Sequence, residues 1–91
     1  MRGLNTRVAY ARAVVLAVID DEKGAEAIND AFFDAEFVGY HDYCAGTFEV
    51  PAMIRDVPLL AHGWEYGQEK AAEAKIAKLK DEWTKTEGVE Q

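Results

Sequence analysis

The segment EKGAEAINDAFFDAEFVGYHDYCAG, residues 22–46, decides the fold class of this chain. Its apolar residues recur every three or four positions, which is the spacing of one face of an α-helix. They are Ala25, Ile28, Phe32, Ala35 and Val38. Asp20 or Asp21 is a suitable N-cap, and Gly46 can adopt the left-handed conformation that ends a helix. We therefore predict a helix over residues 22–45.

Two further helices are predicted on either side of this segment. The first covers residues 4–20, with Asn5 or Thr6 as its cap. Its apolar stripe, which we expect to face the core, consists of Leu4, Val8, Ala11, Val15 and Ile19. The other covers residues 58–85, because proline is tolerated in a first helical turn. It continues into a frayed tail, residues 86–91.

The connector between the second and third long helices, residues 47–57, contains Pro51. Within it, residues 52–55 can form a short turn of helix. No segment alternates apolar and polar residues with a period of two, so a strand would have no partner. The sequence predicts an all-α fold, a small three-helix domain.

Small residues recur at intervals of four in each long helix, and such residues share one helix face. For Ala9, Ala13 and Ala17 we attribute the pattern to the helix propensity of alanine. Glycine inside a helix costs about 1 kcal/mol relative to alanine, so the glycines indicate close packing. We predict a tight antiparallel hairpin of the second and third long helices, covered by the first. Its packing residues are Ala35, Gly39, Gly63, Gly67 and Ala71.

Length and composition exclude several protein classes. At 91 residues and 10.1 kDa, the chain is expected to form a single domain. One cysteine, Cys44, cannot form an internal disulfide, and the N-terminus is too polar for a signal peptide. The longest apolar run, residues 13–19, is far shorter than the ~20 residues of a membrane span. A cytoplasmic protein without membrane attachment is expected.

The acidic residues are concentrated in the middle of the chain. Residues 21–50 contain eight acids and one lysine, within a total net charge of −7. This segment repels phosphate backbones and attracts basic surfaces, so direct nucleic-acid binding is not expected. Four of the acids follow one another at i, i+4 spacing, and we call them the acidic ridge: Glu22, Glu26, Asp30 and Asp34.

Aromatic residues are crowded into the same region, and so small a core cannot bury them all. Exposed aromatics beside acids are typical of protein interfaces. We therefore predict that the acidic ridge and three neighbouring aromatics, Phe33, Phe37 and Tyr40, bind a partner. The ridge has an alternative interpretation as a solvated face, and homodimerisation would also cover the aromatics.

The candidates for chemistry at a site are few. His41 and Cys44 form a His-x2-Cys pair, and His62 and Glu65 form a His-x2-Glu pair. In an antiparallel hairpin the two pairs could meet as a zinc site, although structural zinc sites usually contain more cysteines. A tyrosine hydroxyl could equally satisfy each histidine. No P-loop, dinucleotide fingerprint or nucleophile elbow occurs, so neither a catalytic residue nor a cofactor is expected.

Two segments, GYHDYCAG at residues 39–46 and LAHGWEYG at residues 60–67, carry a family resemblance. Residues 37–71 resemble the ribosome modulation factor family, in which a Gly-Tyr helix ends in Ala-Gly and a second helix opens with Gly-Trp. The resemblance implies a small helical hairpin and, for the ribosomal members, binding to the small ribosomal subunit.

The sequence as a whole predicts a non-enzymatic acidic protein that binds a basic protein or nucleoprotein complex. Proteins of this kind act as inhibitors or adaptors, and the phage proteins that imitate nucleic acid against host defences are among them. The first alternative is a ribosome-associated modulator like the family above. The second alternative is a small zinc-binding protein.

Overall fold

A computed structural model describes the backbone of residues 2–90 and the side chains of residues 2–83. It contains four helices and no strand within residues 2–90, which confirms the all-α prediction. The helices are α1 (Leu4–Ile19), α2 (Asp21–Cys44), α3 (Ala52–Arg55) and α4 (Pro58–Glu90). The predicted frayed tail, residues 86–91, lies outside the part of the chain whose side chains are described.

Local chemistry accounts for some of the helix ends. The Asp20 carboxylate accepts a hydrogen bond from the Lys23 backbone N–H at 3.1 Å, which confirms Asp20 as the N-cap of α2. The predicted caps of α1 are wrong, because the helix already begins after Gly3, a left-handed residue with φ of 82°. Thr6 is instead buried against the rest of the protein. The short helix in the connector is confirmed as α3.

α1 and α2 run antiparallel and touch closely. Ala17, near the end of α1, lies against Gly24, near the start of α2, and a Cβ atom at Gly24 would be 2.2 Å from the Ala17 Cα. At the other end of the pair, Arg2 reaches Asp42. Ala13 is buried between the helices. The alanine stripe of α1 therefore forms its contact face, and our attribution of that stripe to helix propensity alone is wrong.

α2 and α4 run parallel, and the predicted antiparallel arrangement of these two helices is wrong. Gly63 packs on Phe32, and Gly67 packs further along α2 on the Glu36 carbonyl. Further along both helices, Ala71 of α4 and Cys44 of α2 line the same groove. The physical reason is the connector: residues 45–57, including α3, carry the chain back along α2 before α4 begins. A parallel helix pair needs such a crossover, whereas an antiparallel pair needs only a short loop.

Glycines allow α2 and α4 to approach at backbone distance. A Cβ atom at Gly67 would lie 1.9 Å from the carbonyl oxygen of Glu36, and one at Gly39 would lie 2.0 Å from that of Trp64. The core beside this contact contains Ala35 and the fully buried Ile54 of α3. Its remaining members are Ala31, Val57, Leu60 and Trp64.

Two sets of apolar residues lie outside this core, the predicted stripe of α1 and a group near the end of α4. On α1, Val8 and Val15 belong to an exposed face, because α1 contacts α2 through its small residues on the opposite side. The prediction that this stripe faces the core is therefore wrong. On α4, Ile76, Leu79 and Trp83 are also exposed, since they lie beyond the end of α2. Within the described residues, no helix has both the length and the apolarity to cross a membrane.

Candidate protein-binding surface

α2 has a closed face, which α1 and α4 cover, and an open face, which no other helix covers within the described part of the chain. Ala31, Ala35 and Gly39 are buried on the closed face. The open face, about half a helical turn away, contains the four carboxylates of the acidic ridge and three aromatics at steps of three or four residues. Its members are Glu22, Glu26, Asp30, Asp34, Phe33, Phe37 and Tyr40, all of which are exposed.

The carboxylates of the ridge are not used by the fold. Within residues 2–83, none of the four makes an ion pair. Arg12 of α1 lines a shallow groove together with Asp30 and Asp34, so one basic side chain borders the ridge. Like charges at i, i+4 spacing destabilise a helix by a few tenths of a kcal/mol per pair. Repulsion along the ridge is therefore a small cost to stability, offset in part at Glu22, which lies in the first turn of α2 where the helix dipole favours an acid.

Glu36 is an acid of α2 that takes part in the contact with α4. Its side chain is only 14% exposed and lies 2.8 Å from the Lys70 ammonium of α4. The hydrogen bond to Glu36 raises the pKa of Lys70 above its usual value. Lys70 also lies over the ring of Tyr66, with its nitrogen 4.8 Å from the ring centre. Glu36 thus joins the two helices, unlike the ridge carboxylates.

The three aromatics of the open face are exposed, and two of them contact a neighbouring ring. Phe37 is 64% exposed, and its ring centre lies 4.3 Å from that of His41. Phe33 meets Phe32 edge to face at 5.8 Å. Aromatic side chains have only two rotatable bonds, so they lose little conformational entropy when a partner covers them. They have the properties of interface anchors.

Asp42 has a structural role that the sequence reasoning missed. It is buried, and its Oδ2 accepts hydrogen bonds from the Trp64 indole N–H at 2.9 Å and from the Arg2 Nε at 3.3 Å. One carboxylate thereby connects α2, α4 and the chain before α1. A signal was present, because Asp42 follows Ala35 by seven residues and so shares the closed face of α2.

The four residues that the sequence offers as an alternative zinc site do not come together. Their meeting required an antiparallel hairpin, but the parallel arrangement places His62 beside Phe32, with ring centres 6.0 Å apart. Phe32 precedes His41 by nine residues, which is about 14 Å along the axis of α2. Cys44 is exposed at the end of α2, and Glu65 is exposed on α4. In the described part of the chain, no three His, Cys, Asp or Glu side chains are grouped to hold a metal ion.

Comparison of the chain with protein-family models, with curated proteins and with solved structures found no match.

Proposed function

We propose that this chain is a non-enzymatic binding protein whose open face of α2 takes up a basic surface of a partner protein or nucleoprotein complex. The observation that carries the proposal is the combination on one face of three exposed aromatics and four carboxylates that make no ion pair with any side chain of residues 2–83. A protein with this activity acts as an inhibitor or an adaptor.

The two halves of the open face contribute in different ways. The ridge carboxylates follow one another at about 6 Å along the helix, so they present a row of negative charge like that of a nucleic-acid strand. Such a row attracts basic surfaces and speeds association, and salt weakens both effects. Burial of Phe33, Phe37 and Tyr40 against the partner then supplies the non-electrostatic part of the affinity.

The test is affinity capture from cell lysate with three forms of the tagged protein. The wild type is compared with a ridge variant that combines Glu26→Ser, Asp30→Ser and Asp34→Ser. The matched control combines Glu65→Ser, Glu69→Ser and Glu73→Ser, which removes the same charge from exposed positions of α4 at the same spacing. Far-UV circular dichroism establishes that all three forms remain helical.

We expect the wild type and the control to capture the same basic protein, with loss at high salt, and the ridge variant to capture none. Equal capture by the ridge variant contradicts the proposal. Equal loss in both variants would show that net charge, rather than the open face, holds the partner.

A ribosome-associated modulator is the second candidate, and it is supported by the sequence resemblance alone, because the parallel α2–α4 pair differs from the helical hairpin that the resemblance implies. Gly39, Gly63, Trp64 and Gly67, which carry the resemblance to the ribosome modulation factor family, meet at the α2–α4 contact. This candidate predicts co-sedimentation with the small ribosomal subunit, and the distribution of the tagged protein across a sucrose gradient tests it. Absence from the ribosomal fractions contradicts it.

A further inference from the structure

The C-terminal half of α4 carries apolar side chains that the described part of the chain leaves exposed. Cys44, the last residue of α2, lines a groove with Lys78, and α4 continues from there to Glu90. Ile76 is 54% exposed and Trp83 is 69% exposed. We call the apolar residues of this segment the α4 stripe, and they are Ala72, Ile76, Leu79 and Trp83.

The spacing of the α4 stripe is that of a helix that packs along another helix. Its residues follow at steps of four, three and four, which is the repeat of a coiled-coil seam. Glu69 occupies the next position of the seam toward the N-terminus, so the stripe begins at Ala72. A helical segment of this length without tertiary contacts is marginal in water. The end of α4 therefore gains stability when a second helix covers the stripe.

Charged residues flank the α4 stripe in a regular order. Glu73 and Lys80 lie along one side of it, and Lys75 and Glu82 lie along the other. These are the positions that set partner choice and orientation in a coiled coil. Lys80 lines a shallow groove together with the three exposed residues of the stripe, so its aliphatic stem borders them. Each side of the stripe thus carries one acid and one base.

A second copy of α4 that runs in the opposite direction matches the stripe in register. If a two-fold axis passes between Ile76 and Leu79, each of them lies opposite the other on the second copy. The same axis places the small Ala72 opposite the large Trp83. The stripe is therefore complementary to itself in size, as a two-fold interface requires.

The flanking charges are complementary to themselves in the same arrangement. In an antiparallel pair each side of the seam faces its own counterpart, so Glu73 comes beside Lys80 of the second copy. Lys75 comes beside Glu82 of the second copy in the same way, and both pairs are offset by only about 3 Å along the axis. A parallel pair would instead bring Lys75 beside Lys80 of the second copy. The charges thus favour an antiparallel second copy over a parallel one.

We propose that the α4 stripe is covered by the α4 stripe of a second copy, with the two helices antiparallel across a two-fold axis. The contact spans about three turns of each helix, less than an interface of standard size, so the dimer forms at high protein concentration and separates on dilution. The open face of α2 lies outside this contact. The inference goes beyond the proposed function and does not depend on it.

The first experiment measures the mass of the whole chain by sedimentation equilibrium, from micromolar to millimolar concentration. It compares the wild type with Leu79→Glu and with the matched control Val15→Glu, because Val15 on α1 is 62% exposed and Leu79 is 56% exposed. A reducing buffer prevents the exposed Cys44 from linking two chains. Circular dichroism checks the helix content of each form.

We expect the mass of the wild type and of Val15→Glu to rise with concentration from 10.1 kDa toward twice that value. Leu79→Glu should keep the mass of one chain. A wild type that is monomeric at millimolar concentration overturns the proposal. A Leu79→Glu variant that dimerises as the wild type does overturns it as well.

Charge reversal tests the direction of the two helices. Lys75→Glu places two acids together twice in the antiparallel dimer, so its dissociation constant should rise about tenfold. The double variant Lys75→Glu, Glu82→Lys restores both opposite pairs and should return to the wild-type value. Lys78→Glu is the matched control, since Lys78 lines the same groove beside Cys44 as Lys75 but does not flank the stripe.

The parallel arrangement gives the opposite result in this series. There Lys75→Glu would face Lys80 of the second copy and strengthen the dimer, and this outcome contradicts the proposed direction. Equal weakening by Lys75→Glu and Lys78→Glu, without recovery in the double variant, contradicts the proposed pairing.

Discussion

The closed and open faces of α2 use similar residue types for opposite purposes. On the closed face, the acid Asp42 is buried with two hydrogen-bond partners, and Gly39 admits the backbone of α4. On the open face, the acids lack ion pairs within the described chain, and Phe37 extends into solvent. The difference indicates that residues of the closed face carry the packing of the fold, whereas those of the open face contribute little to it.

The largest expected effect comes from adding a side chain at the point where the backbones of α2 and α4 are in contact. Gly67→Ala places a Cβ atom 1.9 Å from the Glu36 carbonyl oxygen, so the two backbones must move apart. We expect a loss of about 3 kcal/mol in the free energy of unfolding, at the upper end of overpacking effects. Urea denaturation measures it.

Gly46→Ala is the control for this substitution, because nothing lies within 4 Å of a Cβ atom there and only the positive φ of 81° opposes it. Its cost should be about 1 kcal/mol. A Gly67→Ala protein as stable as the wild type would show that the two helices do not meet at this position.

Removal of the buried carboxylate should have the next largest effect. Asp42→Ala leaves the Trp64 indole N–H without its acceptor, and an unsatisfied buried donor costs about 1–3 kcal/mol. Asp42→Asn keeps an acceptor for the indole and loses only the charge opposite Arg2, so its cost should be smaller. Comparison of the two denaturation curves checks the order, and equal costs would assign the effect to charge alone.

Substitutions on the open face should barely change stability. In the ridge variant, with serine at positions 26, 30 and 34, relief of repulsion within α2 offsets any lost helix propensity. We expect a change within about 0.5 kcal/mol. The same denaturation measurement tests it, and a loss near that of Asp42→Ala would mean that the ridge supports the fold.

The smallest expected effect comes from replacing Asp56, an exposed acid that pairs with Arg7. The Arg7 guanidinium donates a hydrogen bond that lowers the pKa of the Asp56 carboxyl below its usual value. A lowered pKa in the folded state adds stability above the usual pKa, and this stability is lost as the pH falls through the folded value. The melting temperature of the wild type should thus fall slightly more on acidification than that of the Asp56→Asn variant, and thermal melts over a series of pH values measure this. Parallel pH profiles would contradict this role of the Asp56–Arg7 pair.

The sequence by itself determined the helices and several of their ends. The apolar period of α2, the Asp20 cap and the short helix α3 depend on residues within a few positions of one another, so local pattern is sufficient for them. The sequence also placed the ridge carboxylates and Phe33 on the same side of α2, because helical spacing alone decides which residues share a face.

The tertiary structure decided which faces are covered and in which direction the helices run. The apolar stripe of α1 was expected inside and lies outside, because small residues such as Ala13 allow a closer contact with α2. The direction of α4 depended on the path of residues 45–57, and it kept His62 apart from His41, so the residues of the alternative zinc site do not meet. Such outcomes are set by contacts between residues far apart in the chain, which compete with one another only when the whole chain packs.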